Sequence, residues 1–349
     1  MRLYAVIYSP AKDATDVAAL NGLAKATSRI NALKDAVANA YAQVRLEMQS
    51  RPCPYWQAVF LAPEYFFSNQ REINDRFFDH TVKRYILQEL KNLAHGYPNL
   101  LLVPGTLLWK KEAVGDEPSR DDINQRVPVS TNRKLKAHTR IYNAYMSFGS
   151  RVDKGWGHSG TADVSSTEYL IHADICRPQI AQNVAYIFLG DQHFKYHKIG
   201  NYEEVMGETG NIVFAPGNIA GRFSVGGVKY GLEICMDHAQ GVLEKSTGGD
   251  VHVQLLVSSY VASTDAGKAA VLLHSSTEKH QKYSDQLHAT GVNPIRFKSG
   301  SGACLSKDKP KVDGPDWTLW MIDMDEGKLG ISNPNTRTIR DTALQTVKH

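Results

Sequence analysis

The chain has no Cys-x-x-Cys pair, and its four cysteines, at positions 53, 176, 235 and 304, follow no regular spacing. That argues against a disulfide framework and against a structural zinc site, and it fits a reducing compartment. No apolar run reaches the roughly 18 residues that a membrane-spanning helix needs. The N-terminal apolar stretch holds one arginine and is broken by Tyr4 and Tyr8, too short and too interrupted for a secretory signal. A cytoplasmic protein with no membrane partner is expected. Charge of one sign is also scarce. The net charge is +4 over 349 residues, and the densest basic run, Lys307 to Lys311, is interrupted by Asp308 and Pro310. It reads as a loop rather than a nucleic-acid patch. Linkers rich in Pro, Gly or Ser, internal repeats and low-complexity segments are all absent, so one domain over residues 1–349 is expected.

What is there alternates strand and helix. Residues 2–8 read as a strand, and Ile30, Leu33, Val37, Tyr41, Val44 and Met48 predict a helix over about 29–49. Residues 57–62 read as a buried strand. Phe78, Val82, Ile86, Leu90 and Leu93 predict a second helix, closed by Gly96 and Pro98. Strands follow at 100–106 and 141–148, then at 184–189, 211–215, 221–234, 251–258, 302–306 and 317–324. Alternation first and more sheet later suit a layered α/β sandwich.

Three short segments carry chemistry. In YGLEICMD, residues 230–237, a strand-like run stops at Cys235. A cysteine at a strand end is held in place by the strand, and the following turn offers free backbone N–H groups to an oxyanion. In FLAPEYFF, residues 60–67, Glu64 follows an apolar run, where partial desolvation raises a carboxylate towards the range useful for a base. In FKYHK, residues 194–198, Lys198 offers a positive charge that favours a thiolate or holds an oxyanion. Taken singly, each has a plainer alternative. A strand-end cysteine is often inert filler, a Glu after Pro often opens a turn, and a Lys among Lys and His often lies on a solvated face. A Cys235–His238 dyad is a second arrangement, although three residues along a helical turn the imidazole would point along the helix rather than at the sulfur. His193 and His197 are four apart but sit in loop and strand with no carboxylate partner, so no metal site is read there.

Taken together, the three segments resemble the nitrilase superfamily of carbon–nitrogen hydrolases. The resemblance rests on Pro63-Glu64-Tyr65-Phe66, Tyr196-His197-Lys198 and Gly231-Leu232-Glu233-Ile234-Cys235-Met236-Asp237, in that chain order. RLYAVIYSP at 2–10, Tyr142-Asn143, and Glu208 followed by Ala215-Pro216-Gly217 extend it, patchily, over about residues 2–260. The chain departs from many members after the cysteine. Met236 stands where an aromatic residue is usual, and His238-Ala239-Gln240-Gly241 stands in place of Arg-Phe-Pro-Glu.

The resemblance implies an α-β-β-α sandwich, a single carbon–nitrogen hydrolase domain and association into a homodimer or higher homo-oligomer through helices. The stretches at about 110–140 and 149–183 then read as insertions, and the chain after about 325 as a C-terminal extension. It implies Glu64, Lys198 and Cys235 as catalytic residues, with the Met236 backbone N–H at the oxyanion and neither metal nor cofactor. A further glutamate that supports the base is chosen from Glu203, Glu204 and Glu208; Glu204 suits the short spacing from Lys198, and Glu208 the Pro-Gly segment. Tyr65, Ser259 and Tyr260 are candidates for the substrate pocket. The activity implied is amide hydrolysis on a small molecule, with nitrile or N-carbamoyl amide hydrolysis as alternatives. A binding or assembly protein with vestigial activity is the reading from another class. The chain shows no glutamine-fed synthetase domain and no transmembrane region, which argues against two other branches.

Overall fold

Strand β1 (Arg2–Tyr8) is buried along almost its whole length. That is what a run without charge after Arg2 demands, and its alternate residues face two different cores. The computed structural model of the protein describes residues 1–8, 10, 20–69, 75–112, 179–200, 204, 212–217, 220–246, 251–259, 261, 269–277, 292–297, 311–331 and 339–341. Helix α1 (Gly22–Ser50) starts before the expected residue 29. Its N-cap, Asn21, makes no side-chain cap bond, and the Gly22 N–H donates instead to Asn69 Oδ1 at 2.5 Å. The start is therefore set by a distant loop and leaves no local signal. After β2 (Trp56–Leu61), α2 (His80–His95) has the opposite character, since Asp79 accepts the Val82 N–H at 2.8 Å.

The expected strand at 100–106 is two strands, β3 (Leu100–Val103) and β4 (Thr106–Glu112). Gly105 turns the chain between them with φ +79°. A Cβ at Gly105 would lie 2.1 Å from the carbonyl oxygen of Pro63, the residue before Glu64. Gly105→Ala is therefore expected to cost on the order of 2–3 kcal/mol, from the clash and the positive φ together. It should also lower activity in the protein that still folds, because the backbone that has to yield carries Glu64. Urea unfolding and turnover check both. A variant as stable as wild type would remove the packing role given to this turn.

β5 (Gln179–Leu189) pairs through Gln179–Ala185 with the whole of β4, and β6 (Gln192–His197) and β7 (Ile212–Phe214) also pair with β5. Both β4 and β5 run into stretches expected to be insertions. The expected strand at 221–234 is a hairpin of β8 (Gly221–Val225) and β9 (Val228–Ile234). Gly226 and Gly227, both at positive φ, make its two-residue loop. Two one-turn helices follow, α3 (Met236–Ala239) and α4 (Val242–Lys245), then β10 (Val251–Ser258), β11 (Ala269–Ser276) and β12 (Val292–Phe297). β13 (Lys311–Asp313), β14 (Trp317–Asp323), α5 (Glu326–Leu329) and β15 (Ile339–Asp341) complete the described chain. β11 and β12 were not expected. The strands expected at 141–148 and 302–306 lie outside the described residues.

One sheet runs β13-β14-β1-β2-β3-β5-β4, with β6 and β7 added through β5; the other runs β12-β11-β10-β9-β8-β15. Leu3, Ala5, Ile7, Val59 and Leu61 of the first sheet meet Tyr230, Leu232, Ile234, Val253 and Val257 of the second in one core. The alternate residues of the first sheet, among them Tyr4, Val6, Ala58 and Phe60, pack under Ile30, Leu33 and Val37 of α1 and Ile86 and Leu90 of α2. On the far side of the second sheet, Leu243 of α4 packs with Val251, Leu256, Ala269 and Leu272. The α-β-β-α sandwich is thus present, its last layer represented among the described residues by α3 and α4. Each buried Val, Leu or Ile contributes about 1.5–3 kcal/mol. The inter-sheet layer is therefore what fixes the end of β2 against the ends of β9 and β10.

Candidate active site

Those three ends meet through backbone bonds. The Cys235 N–H donates to Val257 C=O at 2.8 Å, and the Glu64 N–H donates to Ser258 C=O at 3.3 Å. Parallel strands that stop together leave a crevice at their carboxyl ends, the usual place for a site in α/β proteins. Cys235 and Tyr65 are the non-glycine residues with positive φ among the described residues, at 48° and 59°. Such strain persists only where the surroundings impose it, and here both residues lie at the crevice.

Glu64 is fully buried. Its Oε2 accepts the Ser259 N–H at 3.1 Å; its Oε1 accepts from Lys198 Nζ at 2.8 Å and from Asn183 Nδ2 at 3.0 Å. The Cys235 thiol acts on the same carboxylate and favours its charged form. Lys198 follows β6 and is buried, whereas Lys195 within the strand is exposed. The Lys198 ammonium also donates to Glu204 Oε1, closing a second ion pair. Glu204 Oε1 accepts from Tyr65 Oη at 2.9 Å and from Asn183 Nδ2 at 3.1 Å, and Arg76 Nη1 stands 3.7 Å from Glu204 Oε2. The Arg76 guanidinium lies over the Tyr65 ring, 5.4 Å from its centroid.

The electrostatics follow from burial. Loss of water raises the Glu64 carboxyl above its ordinary value; Lys198 opposes this, and Glu204 reinforces it. Burial alone would lower the Lys198 ammonium, but Glu204 and Glu64 outweigh it and hold the lysine well above its usual value. Burial, then Glu204 and Glu64, push the Tyr65 phenol well up. The result is a permanently charged lysine beside a carboxylate that can take a proton, in contact with a thiol. Asp237 ties the turn after Cys235 to the lysine. It accepts from Tyr196 Oη at 2.7 Å and from the N–H of Ile199, next to Lys198, at 3.2 Å, and burial pushes its carboxyl up to about 7. The Met236 N–H is the first of helix α3, so no helical carbonyl can accept it.

Of the residues singled out in the sequence, Glu64, Lys198, Glu204 and Tyr65 form one hydrogen-bonded cluster, and the Cys235 thiol acts on its Glu64 carboxylate. Met236 and Ser259 border it through the chain itself. Ser259 is mostly buried, and its hydroxyl meets Thr277 Oγ1 at 2.8 Å. Glu203, Glu208 and Tyr260 lie outside the described residues. His238 Nδ1 meets Glu233 Oε2 at 2.7 Å, and the Cys235 side chain packs in the inter-sheet core. Cys53 is half-buried and donates to Tyr55 C=O. Sequence reasoning missed Asn183 and Arg76. Asn183 had a signal, a lone amide entering the apolar run VAYIFL, but it fell within a stretch read as an insertion. Arg76 had none.

Among solved structures, the chain is similar to a variant of an amidase from Nesterenkonia AN1, described as from the nitrilase superfamily. That likeness has 12% identity and a TM-score of 0.41, and it covers 95% of this chain and 93% of that one. A second amidase structure from Nesterenkonia sp. is similar at 12% identity and a TM-score of 0.43, covering 95% and 92%. A glutamine-dependent NAD+ synthetase from Acinetobacter baumannii, in complex with ADP, is similar at 10% identity and a TM-score of 0.34, covering 76% of this chain and 34% of that one. No family model and no curated protein matches the sequence. The reaction has to be read from the site itself.

Proposed function

We propose that the protein is a carbon–nitrogen hydrolase of the nitrilase superfamily that converts a small-molecule amide to an acid and ammonia or an amine, through a thioester on Cys235. The observation that carries this is the buried Glu64, ion-paired to the Lys198 ammonium at the strand ends where Cys235 stands, with the thiol favouring its charged form. Glu64 takes the thiol proton as sulfur attacks the amide carbon, and the oxyanion is held by Lys198 Nζ and the Met236 N–H. The tetrahedral adduct collapses with cleavage of the C–N bond, and the leaving nitrogen takes the proton from Glu64. Water then gives a proton to Glu64 as it attacks the thioester, and the acid departs as sulfur recovers that proton. Glu204, Tyr65 and Asn183 hold the lysine in place, and Tyr65 and Ser259 wall the acyl side. No step calls on a metal or cofactor. Among the described residues no helix is long and apolar enough to cross a membrane. A homodimer or larger homo-oligomer belongs to this reading through the resemblance seen in the sequence, and a cytoplasmic location through the cysteine usage seen there.

Lys198→Ala should lose on the order of 100- to 1000-fold in turnover, the effect of removing one oxyanion partner. Lys195→Ala should lose little, because that side chain is exposed on β6. The reverse ranking would show that the lysine had been misassigned. The reading as a whole is tested by incubating the protein with amide and nitrile libraries and following intact mass and released ammonia. An acyl adduct on Cys235 with turnover of amides supports it. Adducts from nitriles alone would make the protein a nitrilase. No adduct and no turnover with any member would leave a binding or assembly protein and overturn the proposal.

A further inference from the structure

Behind the nucleophile lies a second buried polar cluster that the reaction steps do not use. Along β9, Val228, Tyr230, Leu232 and Ile234 face the inter-sheet core, so Gly231 and Glu233 face the outer side, under α3 and α4. Glu233 is 1% exposed. Its Oε1 accepts the Leu243 N–H at 2.7 Å; its Oε2 accepts from Gln254 Nε2 at 2.6 Å and meets His238 Nδ1 at 2.7 Å. With Nδ1–H donating to the carboxylate, the 3.2 Å approach of Gln254 Nε2 to the same Nδ1 is contact between two donors sharing one acceptor.

The three donors come from three elements: Leu243 from α4, His238 from α3 and Gln254 from β10. Leu243 is held a second time, because Arg222 Nη2 donates to its carbonyl at 2.9 Å. Its side chain lies against Gly231, where a Cβ would come within 2.3 Å of Leu243 Cδ2. A buried carboxylate with a full set of donors costs desolvation and stabilises little in itself compared with an apolar side chain of the same size. What this one does is tie everything around the turn to a residue two positions before Cys235. That turn has φ +48° at a non-glycine residue, a conformation that survives only where its surroundings over-determine it.

We infer that Glu233 is a positioning residue for the nucleophile: through His238, Leu243 and Gln254 it holds the strained turn that presents the Cys235 thiol and the Met236 N–H. The inference rests on the reading of Cys235 as nucleophile. Glu233→Gln keeps the shape but turns an NH2 towards the donors that shared the carboxylate, so the turn must shift. A displacement of about an ångström at reacting groups costs up to about 100-fold, so kcat should fall roughly 10- to 100-fold with KM changed by no more than about twofold. Alkylation of Cys235 by iodoacetamide should slow several-fold in the same variant. The exchange Glu233→Gln with Gln254→Glu restores one carboxylate beside one amide and should recover most of both rates. A purely structural role would lower Tm while leaving kcat and alkylation of the folded enzyme unchanged, and that result overturns the inference. If Glu233→Gln does not fold, Gln254→Leu removes one donor and leaves the carboxylate. Unchanged kcat and alkylation in that variant would overturn the inference equally. Alkylation needs no substrate: slowed alkylation in a protein that hydrolyses no amide would sink the functional proposal and leave the positioning role standing.

Discussion

Cys235→Ala is expected to abolish hydrolysis, a loss on the order of 10,000-fold or more, because no other group in the cluster can form the covalent intermediate. The fold should survive. The side chain is small, and Cys235 keeps its N–H bond to Val257 whatever its side chain. A second substitution separates chemistry from strain. Cys235→Gly should be equally inactive but more stable than Cys235→Ala by about 1 kcal/mol, since only glycine accepts φ +48° without cost. Chemical denaturation of the two variants measures the difference. Equal stabilities would mean that the turn stores no strain, and retained turnover in either variant would end the assignment of Cys235 as nucleophile.

The residues of the site were legible in the sequence for a physical reason. Glu64 and Cys235 each follow an apolar strand-like run, and Lys198 ends a strand-like run of mixed polarity, so pattern marks the edge on which they stand. That they meet is a property of the two-sheet core, which couples Leu61 of β2 to Ile234 and Val257 across the interface. No local pattern encodes that coupling. The same limit explains what was missed. Asn183 donates to both carboxylates, yet its importance exists only once β5 lies beside β6 and Lys198. Glu233 looks like an exposed residue of an alternating strand until α4 and Gln254 cover it. Helix α1 begins early because Asn69, in a distant loop, accepts the Gly22 N–H. The single expected strand at 221–234 is split by Gly226-Gly227, a turn signal that the apolar residues on either side overshadowed.

Glu64→Gln should leave almost no turnover at any pH. Gln has nearly the same shape, and its amide oxygen can still accept from Lys198 Nζ, so the geometry of the cluster largely persists. What it loses is the capacity to hold a proton. Burial and the proximity of Glu204 raise the Glu64 carboxyl, so in wild type it can accept the thiol proton and return it to the leaving nitrogen. Both halves of the reaction depend on that proton, and raising the pH cannot replace it on the leaving nitrogen. The loss should therefore persist across the pH range, and no alkaline limb should restore the rate. The thiol supplies a second measurement. Wild-type Cys235 should react readily with iodoacetamide near neutral pH because its carboxylate neighbour can remove the proton, and the Gln variant should alkylate more slowly there. Suppose instead that Glu64 only orients Lys198. Gln would then keep much of the rate, since it still hydrogen-bonds, and the two proteins would alkylate alike. Substantial residual turnover with equal alkylation would make Glu64 a structural partner of the lysine. The Cys235–His238 pair, with His238 Nδ1 held by Glu233, would then have to be reconsidered as the source of the base. Glu204, the other carboxylate bonded to the same ammonium, would be the second candidate for the base.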